Sequence, residues 1–464
     1  MNRPIKTTTA AKEMQCAMHW SSIISCYLFF IIIIIASSIA PFVQSNSILD
    51  PSRVTQPSIE YQSTTSNNQD NPIMTTTTPP VGHKTAPNAT ILVTGSSGFV
   101  GARLVEMLLE RKAKKVLCFD IAEPSPQLLQ RFKKAAGGDE NRYTIFSGME
   151  KGNLTMEQSV MDAFSSESQI DIVYHIAALV GPFHEKSMYM DVNYNGTMYI
   201  LNACRKYNVP RLVFSSSPST RFTGGDIEGL TEDEMQIPET FLAMYAESKA
   251  YAEKEVCKAN DPENGFYTIA VAPHQVYGPY DPLFLPALLE TAGSGKLRIF
   301  GKGMNKISVC YVDNYCHGLI CGADVLEKDS PALAKFYVIT DGPEQNFWQI
   351  LNKAIVAMGF TDLNKKFHLP VPLLMFIAHT CDVIGWIIGK KFKLNPFNVK
   401  MLTIHRYFSI QNAKRDLKYE PLLTFEEAWS NTIEWHKVNW LPNYLARVKD
   451  GKGSAIIGKD KKDR

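Results

Sequence analysis

The sequence has little net charge and no paired cysteine motif, and both absences exclude classes of protein. Its 464 residues carry a formal net charge of only +2, so nothing in the charge balance indicates a nucleic-acid partner. It contains no Cys-x-x-Cys pair, and its nine cysteines are scattered and odd in number. Neither a disulfide framework nor a metal site is therefore indicated, and a reducing compartment fits this cysteine usage better. With 45% apolar and 20% charged residues, the composition is that of a globular protein.

The N-terminal residues have a different composition, and we do not expect them to join the folded core. After a head at 1–22, residues 23–43 hold no charged side chain and are long enough to cross a bilayer as a helix. They are either a membrane anchor or a cleaved signal peptide. The anchor is favoured because the apolar run is long and Pro41 would directly follow a cut after Ala40. Residues 44–87, rich in Ser, Thr and Pro, read as a disordered linker.

Residues 90–120 have the order strand, Gly-rich turn, helix and strand. The turn TGSSGFVG places Gly95, Gly98 and Gly101 three residues apart, and the second strand ends at Asp120. Glycines at this spacing permit a tight turn and a close approach of backbone N–H groups to a pyrophosphate at the helix N-terminus. An acid about twenty residues after such a turn accepts hydrogen bonds from an adenosine ribose and repels a 2′-phosphate. The unit therefore predicts a dinucleotide site that prefers NAD to NADP.

Further apolar strands follow at 170–179, which ends in small residues including Ala177 and Ala178, and at 211–217, which ends in three serines. Strands alternating with helices predict a Rossmann-type doubly wound parallel sheet. We expect an NAD-binding domain at 88–272, a smaller substrate-binding region at 273–445 and a Lys-rich tail at 446–464. Because ligands bind beyond the carboxyl ends of such strands, the serines are candidates for a site.

The segment LAMYAESKAYAEK (242–254) is composed of good helix formers and places Tyr245 and Lys249 on one helical face. A cation close to a tyrosine favours the phenolate and lowers its pKa, which would make Tyr245 a usable proton acceptor. Alone the pair is a weak signal, but it follows a nucleotide turn and a strand that ends in serines.

These pieces, with VYHIAAL (173–179), VNYNGT (192–197) and PHQVYGPYDP (273–282), resemble the extended short-chain dehydrogenase/reductases over roughly residues 90–440. Within them the chain is most similar to the 3β-hydroxysteroid dehydrogenase branch, in particular to members that oxidise and decarboxylate sterol 4α-carboxylates. PHQVYGPYDPLFLPALLETAGSGKLRIFGKG (273–303) and RYFSIQNAKRDLKYEPLLTFEEAW (406–429) carry that similarity. The resemblance implies NAD-dependent oxidation of a 3β-hydroxyl group in sterol biosynthesis, with a sterol substrate and a membrane lipid as partners. It also raises a homodimer and an assembly with other sterol-demethylation enzymes.

The resemblance implies catalytic roles for Tyr245 as acid and base, Lys249 as its modulator, Ser217 as hydrogen-bond donor to the substrate, and Asn193 in the supporting network. It implies cofactor contacts at Gly95, Ser97, Gly98, Phe99, Val100, Gly101, Asp120, Asn153, Leu154, Ala177, Ala178, Tyr245, Lys249, Pro273 and Val276.

The chain departs from the family pattern at Asn153, where many relatives carry Asp, and at Ala272, where Arg is common. A substrate carboxylate would need a cation, for which Arg221 and Lys306 are candidates by position, although both are also typical surface charges. His175 is interpreted as a core residue, and His274 as a residue of the substrate-side loop.

Other functions remain open at this point. One alternative is a 3β-hydroxysteroid dehydrogenase/isomerase, and another is a nucleotide-sugar epimerase. The epimerase is disfavoured by the missing basic residue before Pro273. A non-enzymatic alternative is a membrane-tethered NAD-binding scaffold, against which the intact Ser217, Tyr245 and Lys249 argue.

Residues 369–389 form a second apolar segment, interrupted by Pro370, Pro372, His379 and Asp382. We expect a helix or hairpin that lies on a membrane or covers the substrate site rather than a simple span, with a buried core helix as the alternative. Lys461 and Lys462 stand fourth and third from the end and resemble a dilysine retrieval signal. We therefore expect the endoplasmic reticulum membrane, with the catalytic region in the cytosol, although the basic residues before position 23 favour the opposite orientation.

Overall fold

The computed structural model describes residues 87–450, except 182–183, 389–391 and 393. The predicted anchor, the linker up to residue 86 and the tail from 451 lie outside the described residues. The strands are β1 Thr90–Thr94, β2 Lys115–Asp120, β3 Tyr143–Ser147, β4 Ile172–His175, β5 Arg211–Ser215, β6 Ile227–Leu230, β7 Tyr267–Pro273, β8 Val276–Tyr277, β9 Lys306–Ile307, β10 Cys310–Tyr311, β11 Phe336–Ile339, β12 Gln345–Asn346 and β13 Arg406–Phe408.

Within the described residues, seven strands form the main sheet in the order β11-β7-β5-β4-β1-β2-β3, and every neighbouring pair is parallel. The order reverses at β1, which lies between β2 and β4. Such a reversal leaves a crevice at the carboxyl ends of the strands, where doubly wound folds bind ligands. The predicted Rossmann-type sheet is confirmed, although β4 and β5 end earlier than the apolar runs at 170–179 and 211–217.

The helices connect these strands. The α-helices are α1 Phe99–Glu110, α2 Pro126–Ala135, α3 Gly148–Lys151, α4 Glu157–Ser165, α5 Lys186–Tyr189, α6 Gly196–Lys206, α7 Met244–Lys258, α8 Leu285–Gly293, α9 Val312–Asp324, α10 Phe347–Ala357, α11 Val371–Ile388, α12 Pro396–Met401, α13 Gln411–Leu417, α14 Phe425–Trp435 and α15 Leu441–Lys449. Two π-helical turns, Met190–Asn195 and His436–Trp440, continue α5 and α14.

The hydrophobic core lies on both faces of the main sheet. Successive residues of a strand point to opposite faces, and accordingly Ile91 and Val93 join one apolar cluster while Leu92 joins the other. The first cluster contains residues from Ala89 to Tyr444, so both sides of the predicted boundary at 272/273 contribute to one core. The boundary itself stays a prediction.

Three short strands and β6 make a second sheet in the order β12-β9-β13-β6. In it β13 runs parallel to both β6 and β9, and Arg406 pairs with Ile227 on one side and Ile307 on the other. This sheet brings residues near 227, 307 and 406 together although they are far apart in the chain.

Residues 371–399 form a separate unit, in which the apolar segment is one continuous helix, α11, and not a hairpin. α11 is long and apolar enough to cross a membrane, a property that core helices and signal sequences share. Its buried residues are Leu374, Ala378, Cys381 and Gly385, which recur at helical spacing. The remaining faces are mostly exposed.

Candidate active site

The Gly-rich turn joins the end of β1 to the start of α1 through close backbone contacts. Gly95 has a φ of +74°, and a Cβ there would lie 2.9 Å from the backbone N and Cα of Ala177. A Cβ at Gly101 would lie 1.9 Å from the carbonyl oxygen of Gly95. Only residues without side chains allow the turn, the helix and the loop after β4 to approach this closely. The glycines therefore let backbone alone surround the start of α1, a position at which helices bind phosphate groups, and the phosphate site itself stays a prediction.

Asp120 ends β2 beside this turn. Its carboxylate accepts hydrogen bonds from the backbone N–H groups of Ser97 and Ala122, each at 2.8 Å. Burial raises the pKa of Asp120, and the N–H groups of Ala122 and Ser97 oppose that effect. A Cβ at Gly152 would lie 1.9 Å from the carbonyl oxygen of Asp120, so this glycine shapes the same corner. The sequence analysis missed Gly152, whose only signal is its position directly before Asn153.

The other predicted cofactor contacts also lie where strands of the main sheet end. Ser97, Phe99 and Val100 are half-buried in the turn and the first turn of α1. Ala177 and Ala178 follow β4, Pro273 ends β7, and Val276 begins β8. Asn153 and Leu154 follow β3 and are buried, and Asn153 Oδ1 accepts hydrogen bonds from Thr155 N and Thr155 Oγ1 at 3.0 and 2.9 Å. The structure therefore brings these positions to one edge of the sheet.

The three serines at the end of β5, Ser215 in the strand and Ser216 and Ser217 after it, have three different sets of partners. The Ser215 hydroxyl is hydrogen-bonded to the Tyr315 hydroxyl at 2.7 Å, and Ser216 Oγ donates to Glu253 Oε2 at 2.5 Å. Ser217 Oγ is 2.9 Å from Ser219 Oγ and also reaches the Tyr245 hydroxyl. Of the three, Ser217 is therefore the serine placed beside Tyr245.

Tyr245 and Lys249 lie one turn apart on α7. Burial raises the pKa of Tyr245 to about 12, and the hydrogen bond with Ser217 opposes this effect. Lys249 Nζ donates to the carbonyl oxygen of Ser215 at 2.5 Å and lies 3.9 Å from the centre of the Phe214 ring. Burial lowers the pKa of Lys249 to about 7, and the carboxylate of Glu253 opposes that shift. The influence of Lys249 on the pKa of Tyr245 stays a prediction, because the neighbour that lowers that pKa here is Ser217.

Asn193 lies in the π-helical turn 190–195 and is buried. Its Nδ2 donates to Ser248 Oγ at 3.0 Å and to Leu179 O at 3.1 Å, and its Oδ1 accepts from Leu179 N at 2.7 Å. It therefore fastens α7 to the loop that carries Ala177 and Ala178. Single π-helical turns are frequent at functional sites because they re-aim one side chain.

His175 is buried, as predicted, but its hydrogen bonds connect two parts of the site. Thr94 Oγ1 accepts hydrogen bonds from the N–H groups of Ile176 and Ala177, both at 3.1 Å. Its own proton is then donated to His175 Nδ1 at 2.7 Å. His175 Nε2 consequently donates to Thr197 Oγ1 at 2.9 Å, and Thr197 donates to Asn193 O at 2.6 Å. This series of hydrogen bonds fixes the neutral Nε2–H form of His175 between the Gly-rich turn and Asn193.

The two cations predicted from the sequence as candidates for binding a substrate carboxylate each form an ion pair with a glutamate of this chain. Arg221 has only 9% of its side chain exposed and pairs with Glu253, with Nη2 to Oε1 at 2.7 Å and Nη1 to Oε2 at 3.1 Å. It is therefore not a surface charge. Lys306 is exposed and pairs with Glu344 at 3.1 Å. Sequence reasoning missed Glu253, although it stands four residues after Lys249 on the same face of α7.

A family model, curated relatives and solved structures all show similarity to this chain. A family model described as the 3-beta hydroxysteroid dehydrogenase/isomerase family matches residues 92–371. The sterol-4-alpha-carboxylate 3-dehydrogenase, decarboxylating, of Homo sapiens is 29% identical, covering 85% of this chain and 99% of the human protein. The Mus musculus protein of the same name is 30% identical, with 74% and 89% covered. A solved dTDP-glucose 4,6-dehydratase from Bacillus anthracis in complex with NAD covers 76% of this chain and 97% of its own, with a TM-score of 0.53 and 20% identity, which is a likeness of fold alone.

Proposed function

This chain belongs to the 3-beta hydroxysteroid dehydrogenase/isomerase family, and we propose that it oxidises the 3β-hydroxyl group of a sterol 4α-carboxylate with NAD⁺ and releases CO₂. The observation that carries the proposal is the placement of Ser217 beside Tyr245, at the edge of the sheet where the Gly-rich turn lies. The names of the human and mouse relatives support the substrate class.

The residues present fit NAD. The turn from Gly95 to Gly101 would hold the pyrophosphate, because a side chain at either glycine would occupy the space that the backbone uses. Asp120 would accept hydrogen bonds from the adenosine ribose. When bound, the nicotinamide supplies the hydride acceptor. Lys249 and Ser217 would lie on the nicotinamide side, beyond β5.

Tyr245 would remove the proton from the substrate hydroxyl while hydride leaves the carbon that bears this hydroxyl. A tyrosine with a pKa near 12 is almost entirely protonated at neutral pH, so Tyr245 needs groups that stabilise its phenolate before it can accept a proton. Ser217 donates a hydrogen bond, and the charged form of Lys249, one turn away, favours the negative oxygen electrostatically. When substrate is bound, Ser217 would turn its single hydroxyl proton to the substrate oxygen and hold that oxygen within reach of Tyr245.

The oxidation product is a β-keto acid, which can lose CO₂ without a metal. The bond between C4 and the carboxyl carbon breaks, and its electron pair passes into an enolate on the C3 oxygen, which is later protonated at C4. The enolate oxygen is the atom that Tyr245 and Ser217 contacted during oxidation. The same donors would therefore stabilise the charge that develops in the second step.

The assay for this function uses purified full-length protein, NAD⁺ and 3β-hydroxysterols with and without a 4α-carboxylate. We expect NADH formation together with CO₂ from the carboxylated sterol, followed by absorbance and by a labelled carboxyl carbon. NADH without CO₂ would leave only the dehydrogenase activity, and neither product from any sterol would remove the proposal.

We also infer that α11 contacts lipid. Its exposed side chains include Phe376, Ile387 and Trp386, which are 63, 68 and 85% exposed, and such a patch on one helix suits a membrane interface. A polarity-sensitive fluorophore on Trp386→Cys should shift to the blue when full-length protein is placed in phospholipid vesicles. The same label on Met304→Cys, an exposed apolar residue outside α11, is the control. Water-like emission from both positions would contradict the inference.

The localisation that we propose is the endoplasmic reticulum membrane with the catalytic region on the cytosolic side, on the basis of the dilysine tail. Protease treatment of sealed microsomes tests the orientation. Digestion of the catalytic region is the expected result, and its full protection would reverse the proposed topology.

A further inference from the structure

A sterol 4α-carboxylate would bring a negative charge beside Tyr245 and Ser217, next to the hydroxyl that reacts. A buried carboxylate without a cation or several hydrogen-bond donors is strongly unfavourable. Both cations considered so far are already paired, Arg221 with Glu253 and Lys306 with Glu344. If the proposed function is correct, another donor should face the substrate.

Arg406 on β13 has the properties such a donor needs. The only hydrogen bond of its side chain within the described part of the chain runs from Nη2 to the carbonyl oxygen of Met401, at 3.2 Å. Its Nε is buried without a partner, and no described carboxylate forms an ion pair with it. A guanidinium has five N–H donors, so most of those of Arg406 remain for a ligand. Burial lowers the pKa of Arg406 to about 10, which keeps the side chain charged at neutral pH.

The strand directs Arg406 toward the residues after β7. Arg406 and Phe408 stand two residues apart on β13 and therefore share a face of the strand, since the register shift beside Tyr407 and Phe408 adds its extra residue to β6. The Phe408 ring lies 4.9 Å from the ring of His274. Burial and then the charge of Arg406 lower the pKa of His274 to about 3. Ser308 joins the two residues, because its N–H donates to Arg406 O at 2.9 Å and its carbonyl oxygen accepts from His274 Nδ1.

His274 in turn lies beside the reacting end of the main sheet. It follows Pro273, the last residue of β7, and its Nδ1 donates to Ser308 O at 2.7 Å. β7 is the neighbour of β5, with Val271 opposite Ser215, and Ser217 follows β5 by two residues. Arg406 is thus connected through Ser308 to the residue that follows β7, the strand beside the one that leads to Ser217. His274, being neutral, does not compete for an anion.

We propose that Arg406 binds the 4-carboxylate of the substrate and thereby makes the enzyme select carboxylated sterols. This assignment rests on the proposed function. A guanidinium can hold a carboxylate through two parallel N–H···O bonds, which fixes the direction of the carboxylate as well as its position. A fixed carboxylate keeps the C4–carboxyl bond in one orientation relative to the ketone formed at C3.

The experiment compares two substrates that differ only in the 4α-carboxylate. The quantity measured is the ratio of kcat/KM for the carboxylated sterol to kcat/KM for the same sterol without the group, from initial rates of NADH formation. Arg406→Met should lower this ratio about 10- to 100-fold, as expected for the loss of a hydrogen bond to a charged group. Arg406→Lys retains the charge and should give an intermediate ratio.

Lys306→Met is the matched control, since Lys306 is a cation on the neighbouring strand β9 but is exposed and paired with Glu344. Its ratio should equal that of the wild type. If Arg406→Met lowers both kcat/KM values equally, the residue only supports the fold and the assignment is wrong. A wild type that oxidises both sterols with equal kcat/KM also overturns it while the dehydrogenase function stands. A wild type that oxidises neither sterol removes the proposed function itself.

Discussion

Glu253 was not singled out by the sequence, yet we expect its loss to lower the free energy of unfolding strongly. Its carboxylate accepts hydrogen bonds from both terminal nitrogens of Arg221 and from the hydroxyl of Ser216. The side chain of Glu253 is only 3% exposed and that of Arg221 only 9%. Glu253→Gln leaves the guanidinium of Arg221 buried without a countercharge. Removing one partner of a buried pair typically lowers the free energy of unfolding by about 3–5 kcal/mol. We expect a loss of that size in urea denaturation followed by circular dichroism.

An exposed ion pair of equal length provides the control. Arg447 and Glu290 are also 2.7 Å apart, but their side chains are 51 and 45% exposed. Glu290→Gln should cost less than about 1 kcal/mol, because water already screens the pair. The double variant Arg221→Met, Glu253→Gln should recover part of the loss, since it removes the unpaired charge. Equal losses for Glu253→Gln and Glu290→Gln would refute the reasoning from burial.

The same substitution should change the pH dependence of turnover. Glu253 opposes the effect of burial on the pKa of Lys249, so without it that pKa falls below its value of about 7. Lys249 would then lose its charge at a lower pH, and kcat should fall more at pH 8 than at pH 6. A loss of kcat that is equal at both pH values would indicate damage to the fold alone.

Three further substitutions test the site. Tyr245→Phe should lower kcat by at least about 10²-fold through loss of the acid–base group while NAD binding, measured by calorimetry, is retained; substantial residual turnover would remove the assignment. Asp120→Ala should shift the ratio of kcat/KM for NAD⁺ over NADP⁺ toward NADP⁺ by about tenfold or more, because the carboxylate repels a 2′-phosphate, and an unchanged ratio would contradict that role. For His175, burial lowers the folded-state pKa from 6.5 to about 3, so the unfolded chain binds a proton that the folded protein does not, and stability falls as the pH drops from 6.5 toward 3. His175→Gln should reduce that slope by up to about 1.4 kcal/mol per pH unit in denaturation measured from pH 7 to pH 4, and an equal slope would refute the neutral state.

Local sequence patterns were sufficient to predict the elements that carry the Gly-rich turn and the pair Tyr245 and Lys249. The glycine spacing and the apolar runs on either side predict β1, α1 and β2, because each is set by interactions over a few residues. The helix with Tyr245 and Lys249 was likewise predicted from its composition, and α7 covers Met244–Lys258. The predicted strands 170–179 and 211–217 were longer than the observed strands β4 and β5. The small and polar residues after each strand continue its sequence without a break, although they leave the sheet at its carboxyl edge.

What only the tertiary structure decided is which polar groups are partners. Three serines follow one another in the sequence, and nothing in it predicts that Ser216 is hydrogen-bonded to Glu253 and Ser217 to Tyr245. It offered Arg221 and Lys306 as equivalent surface cations, whereas the fold buries the first with Glu253 and leaves the second exposed with Glu344. Arg406 carried no signal at all, since its surroundings are formed by strands and loops distant in the chain. Backbone periodicity is a local property, but burial and charge pairing depend on segments that meet only after the sheet has formed.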